Sequence, residues 1–85
     1  MKRILFETHA LEQFEEWEQN DKKIFSRIVA LLDAIRHEPF KGIGKPEPLR
    51  YQFKGCWSRR INFEHRLIYR VTDNAIVVIA CKYHY

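Results

Sequence analysis

A carboxylate, an imidazole and several cations in the second half of the chain are the side chains best suited to chemistry: Glu47, His84, and the group Lys45, Arg50, Arg60 and Arg66. Together they are the inventory needed to break RNA without a metal ion. One group takes the proton of the ribose 2′ hydroxyl, cations stabilise the pentacovalent phosphorane, and an acid protonates the departing 5′ oxygen. The 2′ hydroxyl is an internal nucleophile, so no Ser or Cys of the protein is required. No pair of carboxylates stands at metal-binding spacing, and neither His-x-x-x-His nor Glu-x-x-His occurs, so neither a metal site nor a cofactor is expected. Spacing alone does not separate a catalytic His84 from a surface histidine near a chain end.

These residues need elements to position them. Pro46 fixes its own φ and Pro48 restricts Glu47 to extended backbone, so the carboxylate is aimed. His84 follows closely on Ala75 to Ala80, an apolar run that reads as a buried strand. Three further strand signals precede that run: Leu49 to Phe53, Trp57 to Phe63 and Arg66 to Thr72. Short connections predict antiparallel pairing, because parallel neighbours need long crossovers. Alternation puts Trp57, Arg59, Ile61 and Phe63 on one face of their strand and Ser58, Arg60, Asn62 and Glu64 on the other. On the next strand Leu67, Tyr69 and Val71 share the apolar face, which leaves Arg66, Ile68 and Arg70 opposite. Arg60 and Arg66 are therefore expected on one open face.

The first half reads as helical. Lys2 to Phe6 has the content of a short strand. Leu11, Phe14 and Trp17 then recur at helical spacing over residues 8 to 19, with Thr8 as the expected N-cap. Asp21 is placed to cap a second helix carrying Ile24, Ile28, Leu31, Leu32 and Ile35 on one stripe, and Pro39 ends it. The stretch Phe40 to Pro48 is irregular. Its glycines do not form a phosphate loop, since no Gly-Lys-Ser/Thr follows and no strand precedes.

With 85 residues, 46% of them hydrophobic and 14% aromatic, the chain is one domain (1–85) with enough material for a core. A domain this small has modest stability, and a partner is expected. The longest apolar run is too short to cross a bilayer and the N-terminus lacks a signal-peptide pattern, which predicts a cytoplasmic protein with no membrane association. Cys56 and Cys81 read as two buried, reduced thiols. Charge is uneven: residues 1–40 carry six Lys/Arg against eight Asp/Glu, and residues 41–85 carry nine against three. A basic sheet with interleaved aromatics is a common footprint for nucleic acid, although charge alone does not establish it.

Several segments resemble one family. Lys22-Lys23, Pro39-Phe40 through Gly42, Gly44 to Leu49, Trp57-Ser58-Arg59-Arg60-Ile61, Glu64-His65-Arg66-Leu67 with Tyr69, and the closing Tyr83-His84-Tyr85 match, in order, the YoeB (Txe) toxins of type II toxin–antitoxin systems, within the RelE-like superfamily. The resemblance covers essentially the whole chain. It implies an α+β fold: an N-terminal strand and a two-helix hairpin packed on a twisted, mainly antiparallel sheet, with a C-terminal strand and a short functional tail. It also implies a ribosome-dependent endoribonuclease that cuts messenger RNA in the ribosomal A site, an antitoxin partner, and a homodimer. Residue by residue, it implies Glu47 as general base, His84 as general acid and Arg66 as the cation facing the phosphate, with Lys45, Arg50, Arg60 and Tyr85 positioning substrate. Arg50 stands where relatives can have lysine, which changes hydrogen-bond geometry.

Other readings compete. A toxin of the same fold can act on gyrase without cutting RNA, and a basic module can bind nucleic acid without catalysis. Among the remaining histidines, His65 is expected to shape a turn or brace the site more than to move protons, while His9 and His37 belong to the acidic helices. Trp17 and Trp57 read as core.

Overall fold

The structure, a computed structural model, describes residues 2–83; Met1, His84 and Tyr85 lie outside the described residues. Its elements follow the order β1 (Arg3–Phe6), α1 (Thr8–Asn20), α2 (Lys22–His37), β2 (Glu47–Pro48), β3 (Cys56–Arg60), β4 (Arg66–Val71) and β5 (Ala75–Ala80). The strands form one five-stranded sheet in the order β1-β5-β4-β3-β2. All neighbours are antiparallel except β1 and β5, which run parallel with Arg3 opposite Ala75 and Phe6 opposite Val78. The helical pair α1–α2 supplies the crossover that a parallel pairing demands.

The helices cover one face of the sheet. Ala10 of α1 and Ile28, Leu31, Leu32 and Ile35 of α2 pack against Leu67 and Tyr69 of β4, Ile76 and Val78 of β5, and Cys81. Four of the five residues in the expected α2 stripe are buried, and Ile24 packs at their margin. Each fully buried aliphatic side chain contributes about 1.5–3 kcal/mol relative to exposure. A smaller cluster on the other face joins Cys56, Ile68 and Ala80, covered by Leu49, Phe53 and Ile79. Ile79 is the extra residue of a bulge opposite the Ile68–Tyr69 step.

Asp21 is the single residue between the helices. Its Oδ1 accepts the Ile24 N–H at 3.2 Å, as its position predicts. Thr8, by contrast, is not the cap of α1. The N-cap is Glu7, with no capping side chain, because the Glu7 N–H is still donating to Val78 O at 3.0 Å in register with the sheet, and the helix starts one residue later.

The Leu49–Phe53 strand is not present. Pairing of β2 with β3 matches Pro48 to Trp57 and adds a Leu49 N–H bond to Cys56 O, so the residues between must reverse the chain and have no strand left to pair with. Tyr51–Phe53 instead form a 3₁₀ turn entered through Tyr51 at φ 58°, which lays Leu49 and Phe53 over Cys56 and Ile68. The expected Trp57–Phe63 strand is also shorter. It stops at Arg60, where Asn62 Oδ1 accepts the N–H groups of Glu64 and His65 (2.9 and 2.7 Å) and closes a turn that leaves Phe63 93% exposed. Cys56 and Cys81 are buried and free.

Candidate active site

Arg59 explains how the irregular loop is held. By alternation it belongs to the apolar face, and it is fully buried there, with 0% exposure. Its Nη2 donates to Glu38 O and Lys41 O (2.7 and 2.8 Å), its Nη1 to Ile43 O (3.0 Å), and its Nε to the Tyr69 hydroxyl (3.2 Å). Tyr69 in turn donates to Pro39 O at 2.7 Å. A guanidinium stays charged at any ordinary pH, so three carbonyl dipoles wrapped around it supply what water would. Burial raises the Tyr69 hydroxyl pKa above its ordinary value, opposed by the hydrogen bond from Arg59 and its charge.

The wrapping fixes the glycines. Gly42 and Gly44 have φ of 116° and 85°, and a Cβ on Gly44 would stand 2.8 Å from Leu31 Cδ2. The Arg60 N–H donates to Gly44 O at 2.7 Å, and Phe40 packs on Trp57 with ring centroids 4.9 Å apart. The loop is thereby tied to β3 just before Pro46, and β2 begins one residue after that proline. Glu47 pairs with Ser58.

Register then sets the site. Glu47 lies opposite Ser58 and Ser58 opposite Ile68, while Arg60 lies opposite Arg66 one same-face step along. Arg66 Nη1 comes within 3.5 Å of Glu47 Oε1 by reaching over β3. The two ends differ in their surroundings: the Glu47 side chain is 58% exposed and that of Arg66 21%. Arg66 Nε is buried with no hydrogen-bond partner among the described residues. A guanidinium N–H left in that state carries a desolvation penalty that an arriving anion can relieve. At the other end of this face, Leu49 and Phe53 cover the sheet, so the charged end stays open while the apolar end is closed.

Of the residues singled out in the sequence, Glu47, Arg60 and Arg66 come together on one face. Lys45, at φ 50°, and Arg50 are exposed on either side of β2, and neither side chain makes a hydrogen bond or ion pair among the described residues. His84 and Tyr85 fall outside the described residues. Among the described residues no three His, Cys, Asp or Glu side chains are grouped to hold a metal ion, and no helix is long and apolar enough to cross a membrane.

The segment after β5 is anchored from several sides. Trp17 Nε1 donates to Cys81 O at 2.8 Å, and the Cys81 N–H donates to Gln13 Oε1 at 2.7 Å. Burial, with Glu16 nearby, pushes the Cys81 thiol pKa up to about 12, against a smaller lowering by Lys82. His65 is buried against Trp17, with ring centroids 4.9 Å apart. His9 and His37 are exposed on their helices.

Two residues carry more than sequence reasoning assigned them. Arg59 was legible only as a cation out of place on an apolar face, and that misplacement is the signal for a buried hub. His65 is expected to shape a turn or brace the site, and what it holds depends on a contact 18 residues away that no local pattern encodes.

Comparison with known proteins agrees with this architecture. A family model described as "YoeB-like toxin of bacterial type II toxin-antitoxin system" matches residues 6–85. The chain is 46% identical over 83 residues to the toxin YoeB of Streptomyces coelicolor, covering 98% of this chain and 99% of that protein. It superposes on the YoeB dimer structure from Staphylococcus aureus with a TM-score of 0.93 at 47% identity, covering 99% and 98% of the two chains. On the YoeB–YefM complex from the same organism the TM-score is 0.92 at 45% identity, covering 100% and 99%.

Proposed function

The chain belongs to the YoeB-like toxins of bacterial type II toxin–antitoxin systems, and from that premise we propose that it is a ribosome-dependent endoribonuclease cutting messenger RNA in the A site. Glu47 takes the 2′ proton, and the 2′ oxygen bonds to phosphorus. Arg66 stabilises the phosphorane, and His84 delivers a proton to the 5′ oxygen as the P–O5′ bond breaks. The products are a 2′,3′-cyclic phosphate and a free 5′ hydroxyl. Lys45, Arg50, Arg60 and Tyr85 are assigned to holding the RNA.

One observation carries this reading. An exposed carboxylate lies 3.5 Å from a half-sheltered guanidinium whose Nε has no partner among the described residues. A base open to solvent beside a largely buried cation suits a phosphodiester whose 2′ hydroxyl faces Glu47.

In the cell the toxin is held by a cognate antitoxin in the cytoplasm, and it forms a homodimer. The Staphylococcus aureus relatives described as a YoeB dimer and a YoeB–YefM complex support both assignments. The basic second half of the chain suits an acidic segment that folds on binding and covers Arg60 and Arg66.

The test is to add the purified protein to a translating ribosome system and map new messenger RNA 5′ ends. Cuts phased with codons are expected from the wild type and strongly reduced cutting from His84→Ala and Glu47→Gln. Absence of phased cuts, or undiminished cutting by either variant, removes the ribonuclease. Growth arrest with intact messenger RNA and trapped DNA–gyrase complexes points to the gyrase alternative. RNA retention with no cutting points to a non-catalytic module.

A further inference from the structure

Consecutive residues at the start of β4 hold the same neighbour. His65 Nδ1 accepts the Tyr83 N–H at 2.7 Å, and the Arg66 N–H donates to Tyr83 O at 2.8 Å. Both backbone groups of Tyr83 are thus satisfied from one point on the sheet. Tyr83 itself has φ 61°. The left-handed region is unfavourable for a non-glycine residue and persists only where its surroundings impose it.

The clamp is stiff because His65 is. The side chain is 7% exposed and lies edge-on to Trp17, with the Tyr83 ring at a centroid distance of 5.5 Å. Its backbone is fixed as well: the N–H donates to Asn62 Oδ1 at 2.7 Å and the C=O accepts the Ile61 N–H at 3.0 Å. A backbone N–H can be accepted only by a lone pair, which assigns the proton of the neutral ring to Nε2, where the Glu64 carboxylate stands 3.7 Å away. With the lone pair of Nδ1 occupied and the ring buried, His65 is not open to take a proton from a substrate.

We infer that His65 is a positioning residue: its Nδ1 lone pair sets the left-handed backbone of Tyr83, and through it the direction in which the chain passes on to His84. The inference rests on the ribonuclease reading, in which His84 supplies the proton to the leaving oxygen. One of these contacts ties the residue before the proposed acid to the proposed phosphate cation, since Arg66 holds Tyr83 O through its backbone while its side chain faces Glu47. Displacement of an acid by even about 1 Å costs about a hundredfold in rate.

The experiment compares His65→Asn, His65→Gln and His65→Leu in the full chain. The Asn Oδ1 sits near the place of Nδ1, whereas the Gln amide reaches toward that of Nε2, and Leu offers no acceptor. Two readouts are taken: hydrogen exchange of the Tyr83 amide by NMR, and the single-turnover cutting rate on ribosomes alongside the concentration for half-saturation.

Gln and Leu are expected to speed Tyr83 exchange about tenfold and to lower the cutting rate by about a hundredfold with half-saturation little changed. Asn is expected to restore both. Because Asn and Gln are both polar amides, a fold too weak to bear Leu leaves the comparison intact. Unchanged Tyr83 exchange in Gln overturns the clamp. Faster exchange with an unchanged cutting rate shows a clamp that positions nothing. A wild type that cuts no messenger RNA overturns the ribonuclease reading and the positioning role with it, while the exchange data still decide the clamp.

Discussion

Arg66 and Glu47 meet across a strand to which neither belongs. The guanidinium on β4 passes over β3 to stand 3.5 Å from a carboxylate on β2, above the small side chain of Ser58. Neighbouring strands lie about 4.8 Å apart, so the pair spans two such steps and only a side chain as long as arginine closes the distance. A contact built this way depends on the register of two strand pairings at once. Its weight for folding is small, because an ion pair with an exposed partner contributes about 0–1 kcal/mol.

From this follows a separation of stability and activity. Glu47→Gln should change the free energy of urea unfolding by less than about 1 kcal/mol while reducing messenger RNA cutting by about a hundredfold or more. Equal losses in both would make Glu47 a folding residue.

Arg59 should behave in the opposite way. Arg59→Met removes four donated hydrogen bonds and leaves the carbonyls of Glu38, Lys41 and Ile43 without their cation. Denaturant titration should show a loss of about 3 kcal/mol or more. Arg59→Lys should recover little, since an ammonium cannot reproduce the planar fork. A loss below about 1 kcal/mol would mean that the loop is held by Phe40 and Trp57 instead.

Gly44 and Gly55 offer a matched pair. Both have positive φ, 85° and 94°, but only at Gly44 does an added Cβ meet the buried Leu31, at 2.8 Å; nothing lies within 4 Å at Gly55. Gly55→Ala should therefore cost about 1 kcal/mol for the backbone alone. Gly44→Ala should cost about 1–3 kcal/mol more, read as the difference in unfolding midpoints at constant slope.

For Cys81 the expectation concerns pH. Its folded pKa of about 12 lies above the ordinary 9.0, chiefly through burial, so the folded state holds this proton more tightly than the unfolded chain does. The stabilisation is complete below about pH 9 and is lost as pH rises toward 12. Unfolding followed by denaturant at pH 8 and 10.5 should show a steeper alkaline loss in the wild type than in Cys81→Ala. Tyr69, whose pKa is also raised, is common to both and cancels in the comparison.

Much of this architecture is legible in the sequence. Helical spacing in α2 marks Ile28, Leu31, Leu32 and Ile35, and these residues are its contribution to the core. Alternation in β3 and β4 placed Arg60 and Arg66 on one face, where they stand opposite each other. What misled was local propensity without register. Leu49 to Phe53 has strand composition, but the pairing of Pro48 with Trp57 leaves those residues no partner. Thr8 has the chemistry of a cap, yet the β5 ladder keeps hold of Glu7 and moves the helix start past it. The candidate site divides along the same line. Proline flanks announce an extended Glu47, whereas its meeting with Arg66 comes from two tertiary registers.

The parallel pairing of β1 with β5 bears on the birth of the protein. Arg3 waits for Ala75, and Phe6 for Val78, so the first strand made has no partner until nearly the whole described chain has been translated. Contacts of such long separation form late and slowly. A nascent chain that has not yet released β5 therefore lacks both the strand that stands between β1 and β4 and the anchored segment beyond it.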